Sequence, residues 1–168
     1  MILNQVDNFF ERIDIIYSEI KKIKMYSVEN HPQYQNVNTS KWPGFRSLEL
    51  GDCNPLLKYL CVKFFFLHNL VTQDSSVDIY AHERLKNNQD NDFIHRDTST
   101  KYTILIYVSP TNLDSGTKFF NENDQIINDI KFVQNRLIFF DGRYKHSAYG
   151  HHGDNKNNSR ITLNAFIK

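Results

Sequence analysis

The sequence has few cysteines and almost no net charge, and both shortages limit what the protein can be. Its two cysteines are too few for a disulfide framework, and neither belongs to a Cys-x-x-Cys pair. We therefore expect Cys53 and Cys61 to be reduced thiols packed within the fold. Twenty Lys and Arg oppose 19 Asp and Glu, a formal net charge of +1, so no overall field favours a nucleic-acid partner or an anionic membrane.

Long uninterrupted apolar runs are also missing. The N-terminal segment carries charged side chains such as Asp7 and Asp14 within its apolar pattern, and the densest apolar run, residues 56–70, is interrupted by Lys58 and Lys63. These charges exclude a signal-peptide core and a membrane span. We therefore expect a soluble, cytoplasmic protein with no membrane partner.

The first part of the chain has the pattern of helices joined by loops. Apolar residues recur at three- and four-residue steps from Val6 to Lys24, which predicts an amphipathic helix that covers one face of the core. Residues 27–44 have the composition of a long loop, and residues 45–50 that of a short strand. Residues 56–71 form either a buried helix or a helix that passes into a strand, because periodicity alone does not decide between them.

The rest of the chain reads as short strands separated by turns. Strands are predicted at 76–80, 102–108, 117–120, 131–133, 137–140 and 160–167, and the polar stretch HERLKNNQDND after the first of them is expected to be an exposed loop or hairpin. Strands at this spacing favour a sandwich or barrel of antiparallel strands. Since 168 residues suit one domain, we expect a single domain over 1–168, with helical support over about 1–72 and a barrel core over about 76–168.

Two side chains that bind metals lie in the stretch FIHRD, just ahead of the predicted strand YTILIYV. Side chains at positions i and i+2 of a strand leave the same face, so His95 and Asp97 can point at one ion while Arg96 points away. A second histidine on a neighbouring strand would complete the two-histidine, one-carboxylate set of non-heme Fe(II) oxygenases. Taken alone, a His-x-Asp pair is more often a solvated turn, so the hypothesis depends on a third ligand.

His146 is the best candidate for that third ligand. It follows the strong predicted strand LIFFDG by the few residues needed to turn and begin another strand. His31 lies in a loop and His68 in an apolar run, where structural roles are expected, and His82 precedes the polar stretch. The two histidines of GHHGD lie in a segment with the composition of a solvated turn.

The segment SRITLNAFIK offers a site for an anion. In a strand, Arg160, Thr162 and Asn164 share one face, while the apolar residues between them share the other and can pack under the N-terminal helix. A buried arginine needs an anionic partner, and a guanidinium binds a carboxylate through two parallel hydrogen bonds. We therefore expect Arg160 to bind an anionic cosubstrate with Thr162 as a hydroxyl donor; the alternatives are an internal ion pair or an exposed arginine.

A tyrosine of YTILIYV is a further candidate contact. Thr103, Leu105 and Tyr107 share one face of this strand, and Tyr102 belongs to the other. If the first face looks inward, Tyr107 can donate a hydrogen bond to the same carboxylate. Tyr102 is the alternative, and either residue can instead be part of the core.

With His95, Asp97, His146 and Arg160 in this order, the sequence resembles the Fe(II)- and 2-oxoglutarate-dependent dioxygenases of the prolyl 4-hydroxylase-like branch. The blocks that resemble the small members found in phages and marine bacteria are VDNFFERIDIIYSEI, WPGFRS, FIHRD, ILIYVSP, DSGTKFF, NRLIFFDG, KHSAYG and SRITLNAF. Together they cover nearly the whole chain. The resemblance implies a mainly β fold with N-terminal α-helices, namely a double-stranded β-helix (jelly roll, cupin-like barrel), and the host cytoplasm as its location if a phage encodes it.

The resemblance also implies the roles of individual residues. His95, Asp97 and His146 would be the iron ligands, and Arg160 would bind the distal carboxylate of 2-oxoglutarate, helped by Tyr107 and Thr162. The implied cofactors are Fe(II), 2-oxoglutarate as cosubstrate and O2, with ascorbate as a candidate addition. The reaction would hydroxylate an unactivated C–H bond, with a peptidyl prolyl residue as the default, and release succinate and CO2.

Two departures from related enzymes bear on this reaction. Collagen-type prolyl hydroxylases usually have lysine where Arg160 falls, which weakens the assignment of proline as the substrate. Related halogenases replace the carboxylate ligand with a small residue, so the presence of Asp97 favours hydroxylation.

The substrate itself is open on the sequence alone. Candidate contacts are Trp42 and Arg46, the stretch HERLKNNQDNDF, and YGHHGDNKNN with His151 and His152 as lid residues. For Trp42 and Arg46, the alternatives are a core plug and a surface or ion-pair residue. A peptide, a protein or a small molecule can be the partner, and the sequence does not indicate an oligomeric state.

Two other functions compete with this hypothesis. A nucleic-acid base hydroxylase or demethylase is disfavoured by the near-neutral charge and the lack of a dense basic cluster. A non-catalytic cupin-like binding module is disfavoured by the intact residue set.

Overall fold

The computed structural model describes residues 2–33, 42–86, 93–150 and 152–168. The elements found in these ranges are β1 (Ile2–Val6), α1 (Ile13–Lys22), β2 (Met25–Tyr26), β3 (Phe45–Ser47), α2 (Leu50–Cys53), α3 (Pro55–Leu67), β4 (Val77–Arg84), β5 (Tyr102–Tyr107), β6 (Asn112–Phe120), β7 (Ile126–Phe132), β8 (Leu137–Asp141), β9 (His146–Tyr149) and β10 (Arg160–Ile167), with one 3-10 turn at Val28–Asn30. No helix in these ranges combines the length and the apolar character needed to cross a membrane.

The strands form two antiparallel sheets. The larger sheet has the order β1-β8-β5-β10-β4-β3-β2, and the smaller has the order β7-β6-β9. Phe140 of the larger sheet and Phe119 of the smaller belong to one buried cluster, with ring centroids 5.1 Å apart, so the inner faces of the two sheets pack together. This mainly β architecture with helices on its N-terminal side confirms the predicted jelly-roll class.

The outer face of the larger sheet packs on the helices. The apolar residues of β10, at positions 161, 163, 165 and 167, share one buried cluster with Ile16 and Ile20 of α1 and with Phe65 of α3. The alternation predicted for β10 is therefore confirmed, and its polar residues point toward the space between the sheets. Burying one such apolar side chain stabilises the fold by about 1.5–3 kcal/mol. The packing of the apolar face on the helices therefore directs the polar face of β10 toward the cavity.

The N-terminal helix is shorter than its apolar pattern predicted. Val6 instead ends β1, which pairs with β8 at the edge of the larger sheet with Val6 opposite Leu137, and residues 7–12 form bends and turns. Asn8 adopts a positive φ of 54°, which is incompatible with a continuous helix from residue 6. Helical periodicity before Ile13 was misleading, because the free edge of β8 provides hydrogen bonds that a helix would not use.

A buried asparagine fixes this N-terminal segment to the sheet. Asn135, in the predicted turn before β8, has a φ of 65°, a conformation that asparagine tolerates better than most residues. Its side chain accepts a hydrogen bond from the Phe10 backbone N–H (2.9 Å) and donates one to the Phe10 carbonyl (2.8 Å). Beside it, Arg136 pairs with Asp7 at 2.6 Å. We call Asn135 and its two hydrogen bonds to Phe10 the Asn135 clamp.

The remaining elements differ from prediction mainly in extent. Residues 55–67 are a helix, capped by the Asn54 side chain, which accepts from the Leu57 N–H at 3.1 Å. The strands predicted at 117–120 and 131–133 are longer, because β6 and β7 form an extended antiparallel pair. Both cysteines are free thiols, but only Cys61 is buried; Cys53 is exposed, so the prediction that it is packed was wrong.

Candidate metal centre

His95 and His146 are neighbours across a backbone bridge. The N–H of His95 donates to the His146 carbonyl (3.0 Å), and the N–H of His146 donates to the His95 carbonyl (2.9 Å). This pairing aligns residues 95–97 with the start of β9 and brings the two imidazole centroids to 4.2 Å. The register of the chain, and not chance proximity, therefore holds the two rings together.

Asp97 completes a compact cluster of metal-ligating groups. Its carboxylate oxygens lie 3.9 Å from His95 Nε2 and 3.7 Å from His146 Nε2. One ligand atom from each of the three residues lies within 4.8 Å of the others. Divalent metals bind nitrogen and oxygen ligands at about 2.1 Å, so the two measured distances allow one ion to contact both members of each pair. We call His95, Asp97 and His146 the His–Asp–His cluster.

Hydrogen bonds orient each member of the cluster. Nδ1 of His95 lies 3.2 Å from the Phe93 carbonyl, and Nδ1 of His146 lies 2.9 Å from the Tyr144 carbonyl. Because a carbonyl only accepts, both Nδ1 atoms carry the proton and both Nε2 atoms keep a lone pair directed at the cluster. The Thr103 hydroxyl donates to Asp97 at 2.8 Å.

The electrostatic environment favours a neutral His146. Burial lowers the pKa of His146 below its usual value of 6.5, with the nearby Asp97 acting in the opposite direction and His95 in the same one. A neutral imidazole is the form that binds a metal. Between the ligands, Arg96 extends to Glu122, with 2.6 Å between guanidinium and carboxylate, so its charge is directed away from the cluster as predicted.

The cluster lines a cavity of about 600 Å³. A volume of this size is typical of small-molecule sites. Arg160, Thr162 and Asn164 of β10 line it, together with Thr103 and Leu105 of β5. Arg160 is 5% exposed, and the Thr162 hydroxyl donates to the Asn164 side chain at 2.8 Å. The structure thus brings both predicted groups, the cluster and the arginine, to one cavity.

The two candidate tyrosines lie on opposite faces of β5. The Tyr107 hydroxyl donates to Thr117 at 2.8 Å, its ring stacks on Phe132 at 4.2 Å, and the Arg160 guanidinium lies 5.7 Å from the Tyr107 ring. Tyr107 therefore contacts the arginine with the face of its ring and not with its hydroxyl group. Burial raises the pKa of the Tyr107 phenol to about 12. Tyr102 packs against Phe139 on the helix side of the sheet, 5.2 Å between centroids, so its role as an alternative cosubstrate contact is dropped.

Two residues of the stretch HERLKNNQDNDF, His82 and Arg84, line the same cavity, but they belong to a strand and not to a loop. Residues 82–84 were expected in an exposed loop, but β4 continues to Arg84 and pairs along its length with β10, placing Arg84 opposite Arg160 and His82 opposite Thr162. Arg84 is 7% exposed. The alternation of apolar and polar residues in VDIYAHER indicates a strand. Its polar residues suggested an exposed loop, because the wall of a polar cavity and a solvated loop have similar compositions.

Arg46 lies on β3, the strand next to β4, and lines the same cavity. It is opposite His82 in the β3–β4 register, and its Nε is 2.5 Å from His82 Nε2. Its guanidinium lies 4.5 Å from the ring of Trp42, so the two residues predicted to contact substrate do line the cavity together. Burial lowers the pKa of His82 well below its usual value, and the charges of Arg46 and Arg160 act in the same direction.

The other predicted substrate contacts are only partly described. His152 lies against Phe132 (5.3 Å between centroids), and its Nε2 is 2.7 Å from the Ser115 hydroxyl. His151, residues 87–92 of the polar stretch, and residues 34–41 of the N-terminal loop lie outside the described residues.

These observations define a jelly-roll protein with a two-histidine, one-carboxylate cluster and a buried arginine in one cavity. No protein-family model matches the sequence. No curated protein sequence matches it significantly.

Solved structures do share its fold. HygX from Streptomyces hygroscopicus, with nickel, 2-oxoglutarate and hygromycin B bound, superposes with a TM-score of 0.66 at 11% identity over 96% of this chain and 81% of that one. A prolyl-4-hydroxylase from Pseudomonas putida gives 0.56 at 13% identity over 98% and 91% of the two chains. A viral collagen prolyl hydroxylase from Paramecium Bursaria Chlorella virus-1 gives 0.52 at 13% identity over 98% and 93%. At these identities the likeness shows the fold.

Proposed function

We propose that the protein is an Fe(II)- and 2-oxoglutarate-dependent dioxygenase that hydroxylates an unactivated C–H bond and releases succinate and CO2. The observation that carries this proposal is that the His–Asp–His cluster and Arg160 line the same cavity. Structures with the same fold include one with 2-oxoglutarate bound, which supports the assignment.

The described residues fit the iron. Two imidazoles and one carboxylate are the donor set of non-heme Fe(II) sites that keep open positions for other ligands. His95 and His146 present Nε2 with the proton held on Nδ1, and the neutral form of His146 is favoured. Bound there with 2-oxoglutarate and O2, the metal supplies the oxidising chemistry, with ascorbate as a candidate auxiliary.

The protein's own contribution is binding and orientation. Arg160 binds the distal carboxylate of 2-oxoglutarate through its planar guanidinium. Thr162 lines the cavity beside Arg160 and offers a hydroxyl group to the same carboxylate. Tyr107 acts through Arg160 by supporting its guanidinium rather than by touching the carboxylate, since the tyrosine hydroxyl is bonded to Thr117.

A peptidyl residue, with proline first, is the substrate class to test. Two structures with this fold are prolyl hydroxylases, while HygX was solved with the small molecule hygromycin B. A succinate-release screen with Fe(II), 2-oxoglutarate and O2 should therefore compare proline-containing peptides, free amino acids, nucleosides and oligonucleotides. Stimulation by oligonucleotides alone would favour the base hydroxylase, and well-folded protein with no succinate release would favour the binding module.

Single substitutions test the residue roles. We expect His95→Ala, Asp97→Ala and His146→Ala to lose iron binding and turnover, because each removes one of three ligands. Arg160→Ala should mainly raise the KM for 2-oxoglutarate. His152→Ala is the matched control and should keep iron affinity. If His146→Ala keeps full iron affinity while His152→Ala loses it, the ligand assignment is wrong.

A further inference from the structure

Arg46 is held in a cage of aromatic rings on the wall of the cavity. Its guanidinium carbon lies 4.5 Å from the ring of Trp42, 4.9 Å from that of Tyr80 and 5.8 Å from that of Phe166. These faces, on three different parts of the chain, hold a planar cation by cation–π attraction. The contact between Nε and His82 fixes the rotation of the guanidinium in its own plane.

The described lining of the cavity carries more positive than negative charge. Its cations are Arg46, Arg84, Arg96, Arg160 and Lys168, and its carboxylates are Asp78 and Asp97. Asp78 pairs with Lys168, Arg96 pairs with Glu122, and Asp97 belongs to the His–Asp–His cluster. Arg160, Arg84 and Arg46 lie on the neighbouring strands β10, β4 and β3, so their guanidinium groups line one wall of the cavity.

This wall is wider than one small anion. β3 lies two strands from β10, about 9.5 Å at the usual spacing between strands. Arg46 aligns across the strands with His82 and Thr162, and Thr162 is two residues beyond Arg160 along β10. Arg46 is therefore also displaced from Arg160 along the strand direction. The two arginines therefore mark two places along the cavity, and Arg160 serves the cosubstrate.

We propose that Arg46 binds a free carboxylate of the substrate, with His82 as the residue that positions the guanidinium. The inference rests on the proposed function only in naming the ligand as the substrate of that reaction. A caged guanidinium presents in-plane N–H donors, which suit the two oxygens of a carboxylate. The carboxylate belongs either to a small acid, such as a free amino acid, or to the C-terminal residue of a peptide.

The ring of Trp42 provides a direct test, because it is the single tryptophan of the sequence and lies against Arg46. Benzoate, benzamide and inorganic phosphate are titrated into the full chain while Trp42 fluorescence is followed, first alone and then with Zn(II) and saturating 2-oxoglutarate. Benzoate should give a saturable change under both conditions, and the neutral benzamide should give none. Competition between benzoate and 2-oxoglutarate, or an equal response to phosphate, would overturn the proposal.

Variants connect this signal to Arg46. Arg46→Gln should weaken benzoate binding about 10- to 100-fold, as expected for lost hydrogen bonds to a charged group. Arg46→Lys keeps the charge but lacks the planar guanidinium, so its affinity for benzoate should lie between those of the wild type and Arg46→Gln. It provides a second test if Arg46→Gln folds poorly. Arg12→Gln, at an exposed pair with Asp14, is the control and should bind like the wild type. Wild-type affinity in both Arg46 variants would contradict the assignment.

Turnover identifies the source of the carboxylate. Succinate release is measured with peptide acids, the same peptides as C-terminal amides, and free amino acids. A preference for peptide acids over amides assigns the peptide terminus, and a response to free amino acids alone assigns a small acid. Equal stimulation by acids and amides refutes the proposal. Saturable benzoate binding without any succinate release would instead refute the proposed function and leave the carboxylate site standing.

Discussion

Single hydrogen bonds orient the side chains of the His–Asp–His cluster for metal binding. The Thr103 hydroxyl donates to the carboxylate oxygen of Asp97 that also lies nearest His146. This bond fixes the rotation of the carboxylate. Thr103 precedes Leu105 on the inward face of β5, so the strand that lines the cavity also positions one of its ligands.

Removal of this hydroxyl tests its role. Thr103→Val has nearly the same shape but no donor, so we expect the Zn(II) affinity to fall about 10- to 100-fold, the usual effect of losing a partner of a ligand. Competition with a chromogenic chelator measures the affinity. Thr98→Val, at an exposed position of the same segment, should leave it unchanged. Equal affinity in both variants would show that Asp97 does not depend on Thr103.

His82 makes the stability of the metal-free protein depend on pH. Since its pKa in the folded protein is lowered well below 6.5, the unfolded chain binds more protons as the pH falls below 6.5. The contribution of His82 to the free energy of unfolding should therefore be constant above pH 7 and fall below 6.5, by at most about 1.4 kcal/mol per pH unit. Urea denaturation from pH 5 to pH 8 measures the effect.

A variant separates this residue from others that titrate in the same range. His82→Gln keeps a hydrogen-bond acceptor for Arg46 but does not titrate, so its stability should fall less steeply below pH 6.5. His68→Gln, at an exposed position, serves as the control. Equal slopes in the wild type and His82→Gln would show that His82 makes no contribution.

At the scale of elements, the Asn135 clamp joins β1 and the start of α1 to the sheet. Asn135 is 5% exposed, so its two hydrogen bonds to Phe10 are protected from water. Phe10 follows Phe9 into the buried cluster between the helices and the larger sheet. The clamp therefore fixes the point where the chain leaves β1 and enters the helical layer.

Loss of the clamp should destabilise the protein. Asn135→Ala leaves a buried N–H and carbonyl of Phe10 without these partners and puts alanine at positive φ, so we expect a loss of about 2–4 kcal/mol in the free energy of unfolding. Urea denaturation gives the value. Asn123→Ala, in an exposed turn, should change it by less than about 0.5 kcal/mol. A small effect of Asn135→Ala would mean that water replaces the side chain.

The elements that could be predicted from the sequence are those whose pattern is local. β10 was predicted with its observed bounds, because Arg160, Thr162 and Asn164 alternate with apolar residues. β1 was not, since its pairing with β8 connects residues far apart in sequence, and the apolar steps of the region imitate a helix. The decisive contact, from Asn135 to Phe10, is a long-range one that leaves no periodic signal.

The candidate site divides in the same way. His95 and Asp97 could be proposed from their spacing, and His146 from its place after a strong strand; the structure brings the three together, and their roles remain predictions. Arg46 could be proposed as a substrate contact from the sequence, whereas the place of Arg84 in the cavity wall follows only from the pairing of β4 with β10. Polarity alone did not distinguish a cavity wall from a solvated loop.

At the scale of the whole molecule, a bound ion would join separate parts of the fold. His95 and Asp97 precede the larger sheet's β5, whereas His146 begins β9 of the smaller sheet. A ligand that binds the folded state alone stabilises it by mass action. The metal should therefore stabilise the packing of one sheet on the other.

Thermal unfolding with added Zn(II) measures this coupling. At a free metal concentration of 100 times Kd we expect about 2.7 kcal/mol of stabilisation and a higher Tm. Asp97→Ala should show no such rise, because the cluster loses its carboxylate. A similar rise in this variant would indicate that the stabilising ion binds elsewhere.

The position of β10 has a consequence for how the protein is made. It is the most C-terminal described strand, yet it is the fourth of seven in the larger sheet, between β5 and β4. While residues 160–167 are still inside the ribosome, β4 and β5 each expose an unpaired edge that can pair with another chain. The sheet closes only after these residues emerge, so the nascent chain passes through an aggregation-prone interval during every round of translation.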